Sequence, residues 1–252
     1  MGVCSQAMQA PHPPLRDYYS HEAERGGWVR EIFDRTAGDY DRIERVMALG
    51  SGSWYRRNAL SRAGLLPGMR VVDIGVGTGL TARQAADLVG AAGRVTGIDP
   101  SSGMLESAKV PPGVELLLGS AEAIPMEART ADFLCMGYAL RHIADLPAAF
   151  LEFMRVLKPG GRICLLEITR PQGRVPRALL KSYMRGVVPF IAGVLGKNAD
   201  SPKLMRYYWD TIDACVSPGE ILQAIRDTGF VEVSRSVALG IFSEYRARKP
   251  HA

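Results

Sequence analysis

From residue 70 onward, short apolar runs alternate with segments in which apolar residues recur every three or four positions. The apolar runs predict strands at 70–74, 93–99, 114–120, 131–140 and 161–169, and the amphipathic segments predict helices at 80–89, 101–109, 145–157 and 217–230. Such alternation is typical of an α/β fold, a doubly wound parallel sheet with helices on both faces. Two last runs, 231–237 and 240–248, lie too close together for a crossover helix and predict an antiparallel hairpin at the sheet edge.

The flanking segments predict one domain over 28–252. Residues 1–27 lack the apolar core of a signal peptide and are expected to form a disordered or loosely packed lead. Residues 28–66 predict a helical cover of the sheet, and KPGG (158–161) predicts a turn. The strand–helix alternation stops at 170–215, a segment with four prolines that predicts a helical insertion or lid. Its apolar stretch, 186–196, is too short to span a bilayer, so a cytoplasmic protein is expected.

Positive charge is concentrated late in the chain. Between Arg155 and Arg206, eleven Lys and Arg residues stand against Glu167 and Asp200, whereas the whole chain carries only +5. Such a segment indicates either a solvated basic face or attraction to an anionic membrane surface. Nucleic acid is less favoured, because no known binding motif is present.

The cysteines and histidines do not predict a metal site. The four cysteines are scattered without a C-x-x-C pair, and the four histidines lack metal-ligand spacing. Reduced thiols are therefore expected rather than disulfides or zinc ligands.

The chemistry is indicated by VVDIGVGTGL (71–80), where a strand should end. Gly75, Gly77 and Gly79 give G-x-G-x-G, one residue shorter than the G-x-G-x-x-G of dinucleotide-binding proteins. A tight loop preceded by Asp73 suits a ligand without pyrophosphate and with a cationic end, such as S-adenosylmethionine. Asp99 ends the second strand, where a carboxylate can accept hydrogen bonds from both ribose hydroxyls.

Eight blocks between Glu31 and Lys249 resemble the ubiquinone/menaquinone C-methyltransferase family, within the class I S-adenosylmethionine-dependent methyltransferases. The blocks are IFDRTAGDYD (32–41), VVDIGVGTG (71–79), GIDPSSGML (97–105), GSAEAIPM (119–126), YALRHIADLPAAF (138–150), VLKPGGRICLLEITRP (156–171), NADSPKLMRYYWDTI (198–212) and TGFVEV (228–233). The resemblance implies a Rossmann-like sheet of order 3-2-1-4-5-7-6, mostly parallel, with an antiparallel last strand.

The resemblance also implies a set of cofactor contacts. They are Asp73, Gly75, Gly77, Thr78, Gly79, Asp99, Met104, Ser120, Ala121, Glu122 and Tyr138. The residues of the glycine loop would wrap the methionine part of S-adenosylmethionine, and Asp99 would hold its ribose. Met104 would pack on the adenine, unless it only packs on its own helix, and Ser120 stands where Asp or Asn is usual. Ser120, Ala121 and Glu122 would border the adenine, and Tyr138 would lie near the transferred methyl.

The expected catalytic residues are Arg141, His142 and Tyr40. Arg141 would stabilise a phenolate and His142 would take or relay its proton; the alternative for His142 is a solvent-facing cap. Tyr40 would line the acceptor pocket, or else belong to the core. The chain departs from the family on this side: His142 stands in place of Asn, and Glu44 and Arg45 stand in place of Asn and Asp.

The sequence therefore predicts a methyltransferase that acts on an apolar small molecule, with C-methylation of a prenylated quinone precursor as the first hypothesis. O-, N- or C-methylation of another aromatic or lipid is the alternative, followed by a nicotinamide-dependent oxidoreductase and a non-catalytic scaffold. The apolar insertion with its basic rim would cover a greasy acceptor, contact a membrane peripherally, or form only a buried cover helix. A homodimer is a further hypothesis.

Overall fold

A seven-stranded sheet organises the chain, with strand order β3-β2-β1-β4-β5-β7-β6. The structure, a computed structural model, describes residues 10–48 and 50–251. The strands are β1 (Arg70–Ile74), β2 (Arg94–Asp99), β3 (Val114–Leu118), β4 (Ala131–Gly137), β5 (Leu157–Ile168), β6 (Val231–Ala238) and β7 (Phe242–Arg248). β7 pairs antiparallel with β5 and β6, and the remaining pairs are parallel. The predicted fold and strand order are confirmed.

Helices cover both faces of this sheet. They are α1 (Glu22–Met47), α2 (Gly52–Arg62), α3 (Leu80–Val89), α4 (Ser102–Glu106), α5 (Leu146–Val156), α6 (Arg174–Ser182), α7 (Val188–Leu195), α8 (Ser201–Ala214) and α9 (Pro218–Asp227). One core cluster packs α5 and α9 against the sheet, and another packs α2 and α3 against the opposite face. A third cluster joins α1 to the insertion α6–α8, so these helices form a cover over one edge of the sheet.

The amino-terminal lead is packed where the structure describes it, which corrects the predicted boundary at residue 28. α1 begins at Glu22, because the Glu24 carboxylate accepts hydrogen bonds from the backbone N–H groups of Ser20 and His21. Arg25 is buried and donates to Nε2 of His12 at 2.7 Å. Residues 1–9 of the predicted lead lie outside the described residues.

Two local predictions differ from the structure. KPGG, predicted as a turn, forms an irregularity within β5, since the pairing with β4 moves from Ala131–Leu157 to Phe133–Arg162. The apolar stretch 186–196 belongs to a longer helix, because a single π turn (Tyr183–Val187) joins α6 to α7. Arg174–Leu195 is thus one 22-residue helix that, by length and composition, could cross a membrane.

Candidate active site

The glycine loop connects β1 to α3 at the carboxyl edge of the sheet. Gly75, Gly77 and Gly79 have φ values of +66°, +54° and +89°, which only glycine adopts without strain. A Cβ on Gly75 would lie 2.5 Å from Cβ of Ala139, and one on Gly79 would lie 2.4 Å from Cγ1 of Val110. At Gly77 an added Cβ meets no protein atom within 4 Å. Gly75 and Gly79 therefore allow close packing of the protein, whereas Gly77 keeps space open for a ligand.

A first cavity of about 390 Å³ lies against this loop. Most of the predicted site residues line it: Tyr40, Gly75, Gly77, Thr78, Asp99, Met104, Ser120, Ala121, Glu122, Tyr138 and His142. Its volume is within the usual range for small-molecule sites. Five of the sequence blocks, spread from residue 32 to residue 150, thus meet around one space.

Asp99 lies at the end of β2 with its carboxylate facing this cavity. Its Oδ2 accepts from the backbone N–H of Gly77 at 2.8 Å, and its Oδ1 accepts from that of Ser101 at 2.9 Å. Each oxygen keeps a second lone pair for a ligand hydroxyl. Burial raises the pKa of Asp99 to about 6. The donor set and the open space at Gly77 fit the ribose of S-adenosylmethionine.

We expect Asp99→Ala to weaken S-adenosylmethionine binding by about 1–3 kcal/mol, because charge-assisted hydrogen bonds to the ribose are lost. In the wild type, affinity should rise as the pH increases through about 6, since the ionised carboxylate is the stronger acceptor. Calorimetric titration from pH 5 to 8 measures both effects.

The control is the pH profile of the variant itself. Burial raises the pKa of Asp73 to about 7, and that group is present in both proteins. The charge of Asp99 contributes to the raised pKa of Asp73, so the difference between the two profiles reports the loss of Asp99 together with this smaller effect on Asp73. Equal affinities at pH 7.5, where Asp99 is ionised, would remove Asp99 from the site.

Asp73, Gly79 and Arg141 are the predicted site residues that do not line the first cavity. The Asp73 carboxylate is buried beneath the glycine loop, where Sγ of Cys135 donates to its Oδ1 at 3.5 Å and its Oδ2 has no hydrogen-bond partner within residues 10–48 and 50–251. Asp73 thus lies below the loop rather than in the lining of the first cavity, and its contact with the cofactor stays a prediction.

Two aspartates on α1 attach this helix to segments that line the first cavity. Neither is among the site residues predicted from the sequence. Asp41 accepts the hydroxyl hydrogen bond of Thr78, and Asp34 accepts from the backbone N–H of Gly103 at 2.9 Å. They are seven residues apart and so lie on one face of α1. Both also lie in the block IFDRTAGDYD (32–41), and that block and the spacing are the signals in the sequence that could have indicated them.

A second cavity of about 420 Å³ lies on the other side of a shared wall. Tyr40, Arg56, Tyr138 and Tyr208 line both cavities. The lining of the second cavity is largely apolar and includes Met47, Trp54, Leu180, Met184, Ile212 and Phe242. The two cavities are therefore neighbours, and ligands in them would lie on either side of these four side chains.

The shared wall is held in a specific arrangement. The Tyr208 hydroxyl donates to the Tyr40 hydroxyl at 2.9 Å, and the Arg56 guanidinium lies 5.1 Å from the centre of the Tyr138 ring. Tyr138 has a φ of +63°, a conformation that costs a non-glycine residue about 1–3 kcal/mol. Strain of this kind clusters at functional sites, where surrounding contacts maintain it.

Glu44 and Arg56 form an ion pair at this wall that the sequence analysis did not predict. Nη1 of Arg56 donates to Oε1 of Glu44 at 2.8 Å. The Arg56 side chain is almost fully buried, whereas that of Glu44 is 21% exposed and borders the second cavity. Glu44 is thus a carboxylate that reaches both the second cavity and solvent.

Arg141 borders the second cavity, but its charge is already paired. Its guanidinium forms a buried ion pair with Glu167, and its Nε donates to Oγ1 of Thr211 at 3.0 Å. The guanidinium carbon lies 5.2 Å from the centre of the Tyr208 ring. The Arg141 carbonyl accepts from Nη2 of Arg25 at 2.7 Å. Arg141 therefore acts first as a buried structural cation.

His142 borders the first cavity with a neutral ring. Burial, together with the charge of Arg141, holds the pKa of His142 well below its usual value of 6.5. Its Nδ1 lies 3.4 Å from the Tyr207 hydroxyl, and its Nε2 has no hydrogen-bond partner among the residues that the structure describes. Protonation beside two arginines is unfavourable, so the environment favours a hydrogen-bond acceptor over the predicted proton relay.

We expect His142→Asn, which restores the commoner pair of the family, to leave the pH profile of kcat/KM unchanged around pH 6.5, where an ordinary histidine titrates. Burial and the charge of Arg141 hold the pKa of His142 well below that value. The measurement is methyl-transfer rate against pH for both proteins. An inflection near pH 6.5 that vanishes in the variant would instead support the proton relay.

The sequence matches the model of the ubiE/COQ5 methyltransferase family over residues 19–249. The demethylmenaquinone methyltransferase of Symbiobacterium thermophilum is 34% identical over 219 residues, which cover 83% of this chain and 87% of that protein. The ubiquinone/menaquinone biosynthesis C-methyltransferase UbiE of Syntrophotalea carbinolica is 33% identical over 223 residues, which cover 86% and 92%.

Solved structures share the fold at lower identity. A SAM-dependent methyltransferase from Aquifex aeolicus has a TM-score of 0.60 and 21% identity and covers 82% of this chain and 97% of its own. A possible histamine N-methyltransferase from Thermotoga maritima has a TM-score of 0.62 and 24% identity, with 88% and 99% covered. At these identities the likeness concerns the fold alone.

Proposed function

The chain belongs to the ubiE/COQ5 methyltransferase family and is an S-adenosylmethionine-dependent methyltransferase, and on this premise we propose that it methylates a ring carbon of a hydroxylated aromatic with a prenyl tail, a quinone precursor of the ubiquinone or menaquinone type. The observation that carries the proposal is the second, largely apolar cavity, which shares a wall with the cofactor cavity. Because the chain belongs to a methyltransferase family, the oxidoreductase and scaffold alternatives are set aside.

The lining of the second cavity matches the two ends of such an acceptor. Apolar side chains form most of it, as a prenyl tail requires, and the Glu44–Arg56 pair supplies polar groups beside the shared wall. A small number of placed polar groups in an apolar pocket is the usual way in which orientation is fixed. The aromatic head would face the shared wall, and the tail would extend toward α6.

Bound S-adenosylmethionine supplies a methyl carbon that its sulfonium has already activated. The residues of the chain must hold the acceptor in line with that carbon, exclude water, and remove the phenolic proton that keeps the ring carbon a weak nucleophile. We assign the phenolic proton to the carboxylate of Glu44, which can pass it to solvent. The hydrogen left on the methylated ring carbon then moves to the phenolic oxygen, which restores the aromatic ring. Arg56 would balance the phenolate charge, and Tyr40 and Tyr208 would close the wall around the reacting atoms.

The roles predicted for Arg141 and His142 are proposed in a modified form. Arg141 would position Tyr208 and the wall while its charge stays paired with Glu167. His142 would accept a hydrogen bond on the free Nε2. A homodimer and a peripheral contact of the basic segment with a membrane remain proposals; the structure gives the second a specific surface, described below.

The function is tested with S-adenosylmethionine carrying a deuterated methyl group and a quinol precursor with a short prenyl tail. We expect one labelled methyl group on the acceptor, and NMR should locate it on a ring carbon. The matched control is the same acceptor with its hydroxyl groups methylated, which should not react. A label on oxygen or nitrogen would refute C-methylation while leaving methyl transfer intact.

A further inference from the structure

The helix Arg174–Leu195 carries an unusual exposed surface. Val175, Leu179, Val187, Phe190 and Val194 are each 47–72% exposed, although large apolar side chains are usually buried. On the other side of the helix, Met184, Val188 and Ala192 are buried against the third core cluster. The helix is therefore apolar on two sides, and only one of them is packed against the described part of the chain.

The π turn keeps these exposed residues along one line of the helix surface. We call the surface formed by Val175, Leu179, Val187, Phe190 and Val194 the apolar stripe. Val175 and Leu179 are four residues apart in α6, and Val187, Phe190 and Val194 follow an i, i+3, i+7 pattern. The π turn at Tyr183–Val187 adds about one residue to the helical repeat between the two groups. The π turn also places Pro189 in the first turn of α7. A proline is tolerated there, because its missing N–H would have no partner within α7.

Positive charge accompanies the stripe. Arg174, Arg177, Lys181 and Arg185 lie on the helix, and residues 174–195 contain no Asp or Glu. Arg177 pairs with Asp213 and Arg185 with Asp210, both on α8, whereas Arg174 and Lys181 form no ion pair within the described part of the chain. Arg174 and Lys181 therefore supply positive charge beside the apolar surface that no carboxylate there neutralises.

We propose that the apolar stripe is a membrane-docking surface that lies in the interface of a bilayer containing anionic lipid. An exposed apolar face bordered by Lys and Arg is the composition of helices that bind in the plane of such an interface. The helix lies on the membrane rather than across it, because the packing of Met184, Val188 and Ala192 holds it to the protein.

The docked helix also gives the acceptor a route from the bilayer. Leu180 and Met184 line the second cavity, while Leu179 points outward from the same helix. An acceptor with a long apolar tail can thus keep the tail in the lipid while its aromatic head occupies the second cavity. This route rests on the proposed function, whereas the docking surface does not.

The test is co-sedimentation of the full chain with vesicles of phosphatidylcholine alone or of an equal mixture with phosphatidylglycerol. We expect binding to the anionic vesicles and a loss of about tenfold or more in the double variant Leu179→Glu/Phe190→Glu. The matched control is Leu118→Glu/Leu151→Glu, which places the same charges at exposed leucines on other elements. The control should bind within about twofold of wild type.

Three outcomes overturn the docking surface. They are no binding of the wild type to anionic vesicles, equal binding by the stripe variant, and equal loss in the control. Sedimentation velocity tests whether the stripe instead binds a second copy of the chain. A wild-type dimer that becomes monomeric in the stripe variant, without vesicle binding, would assign the stripe to that second copy. Thermal unfolding of all three proteins confirms that the variants fold.

Activity measurements separate this surface from the proposed function. The stripe variant should methylate a short-tailed acceptor in solution at the wild-type kcat/KM and lose activity only toward a long-tailed acceptor in anionic vesicles. If vesicle binding behaves as expected but neither acceptor is methylated by the wild type, the proposed function fails and the docking surface stands. If both variants lose solution activity equally, the route through the stripe is wrong.

Discussion

Replacing Glu44 by glutamine should lower kcat by about 100- to 10,000-fold while S-adenosylmethionine still binds, since this is the usual contribution of a positioned general base. Glutamine keeps the size of the side chain and can still accept from Arg56, but it cannot take a proton from the acceptor. Single-turnover methyl transfer measures the chemical step directly. Calorimetric titration of the cofactor checks that the first cavity is unchanged.

Two further variants separate a chemical role of Glu44 from a structural one. Glu31→Gln is the matched control, because Glu31 lies on the same helix with an exposed side chain, and it should retain wild-type turnover. Glu44→Gln also leaves the buried Arg56 charge unpaired, which costs stability. Glu44→Gln/Arg56→Gln removes that cost and should regain the unfolding temperature but not the activity. Recovery of activity in the double variant would contradict our assignment.

Replacing Arg141 by methionine should lower the free energy of unfolding by about 3–5 kcal/mol, because it leaves the carboxylate of Glu167 buried without its cation. The pair is almost entirely removed from solvent, and the surrounding contacts come from three elements: α8 through Thr211 and Tyr208, β5 through Glu167, and α1 through Arg25. Urea denaturation followed by tryptophan fluorescence measures the loss.

The double variant Arg141→Met/Glu167→Met distinguishes the ion pair from its individual charges. Replacement of both partners by apolar residues of similar size removes the unpaired charge, so most of the lost stability should return. If the double variant is no more stable than Arg141→Met, then Glu167 is not an uncompensated charge in the single variant. If Arg141 positions Tyr208, the double variant should lose part of its kcat even though its stability returns.

Much of the fold could be predicted because its signals are local. A parallel strand that is buried on both faces has a continuous apolar sequence. The crossover that connects it to the next parallel strand is almost always right-handed. The bounds predicted for β1 and α3 agree with the structure. The packed lead could not be predicted, since Arg25 finds its buried partner in the carbonyl of Arg141, 116 residues away.

The site divides in the same way. Gly75, Gly77 and Gly79 were identifiable because each requires a positive φ that follows from the short loop itself. The Glu44–Arg56 pair, the aspartates on α1 and the place of Tyr208 in the shared wall were not, because they depend on how α1 lies across the sheet edge. The sequence indicated His142 as a proton carrier from residue type alone, and burial beside Arg141 changed that expectation.

The sequence by itself determined the sheet, the cofactor loop and the acid at its second strand, because periodicity and backbone conformation are properties of neighbouring residues. Only the tertiary structure decided which charges are paired, which carboxylate reaches the second cavity, and which side of the helix Arg174–Leu195 remains uncovered. Those features follow from desolvation and from contacts between distant segments, and no local pattern records either of them.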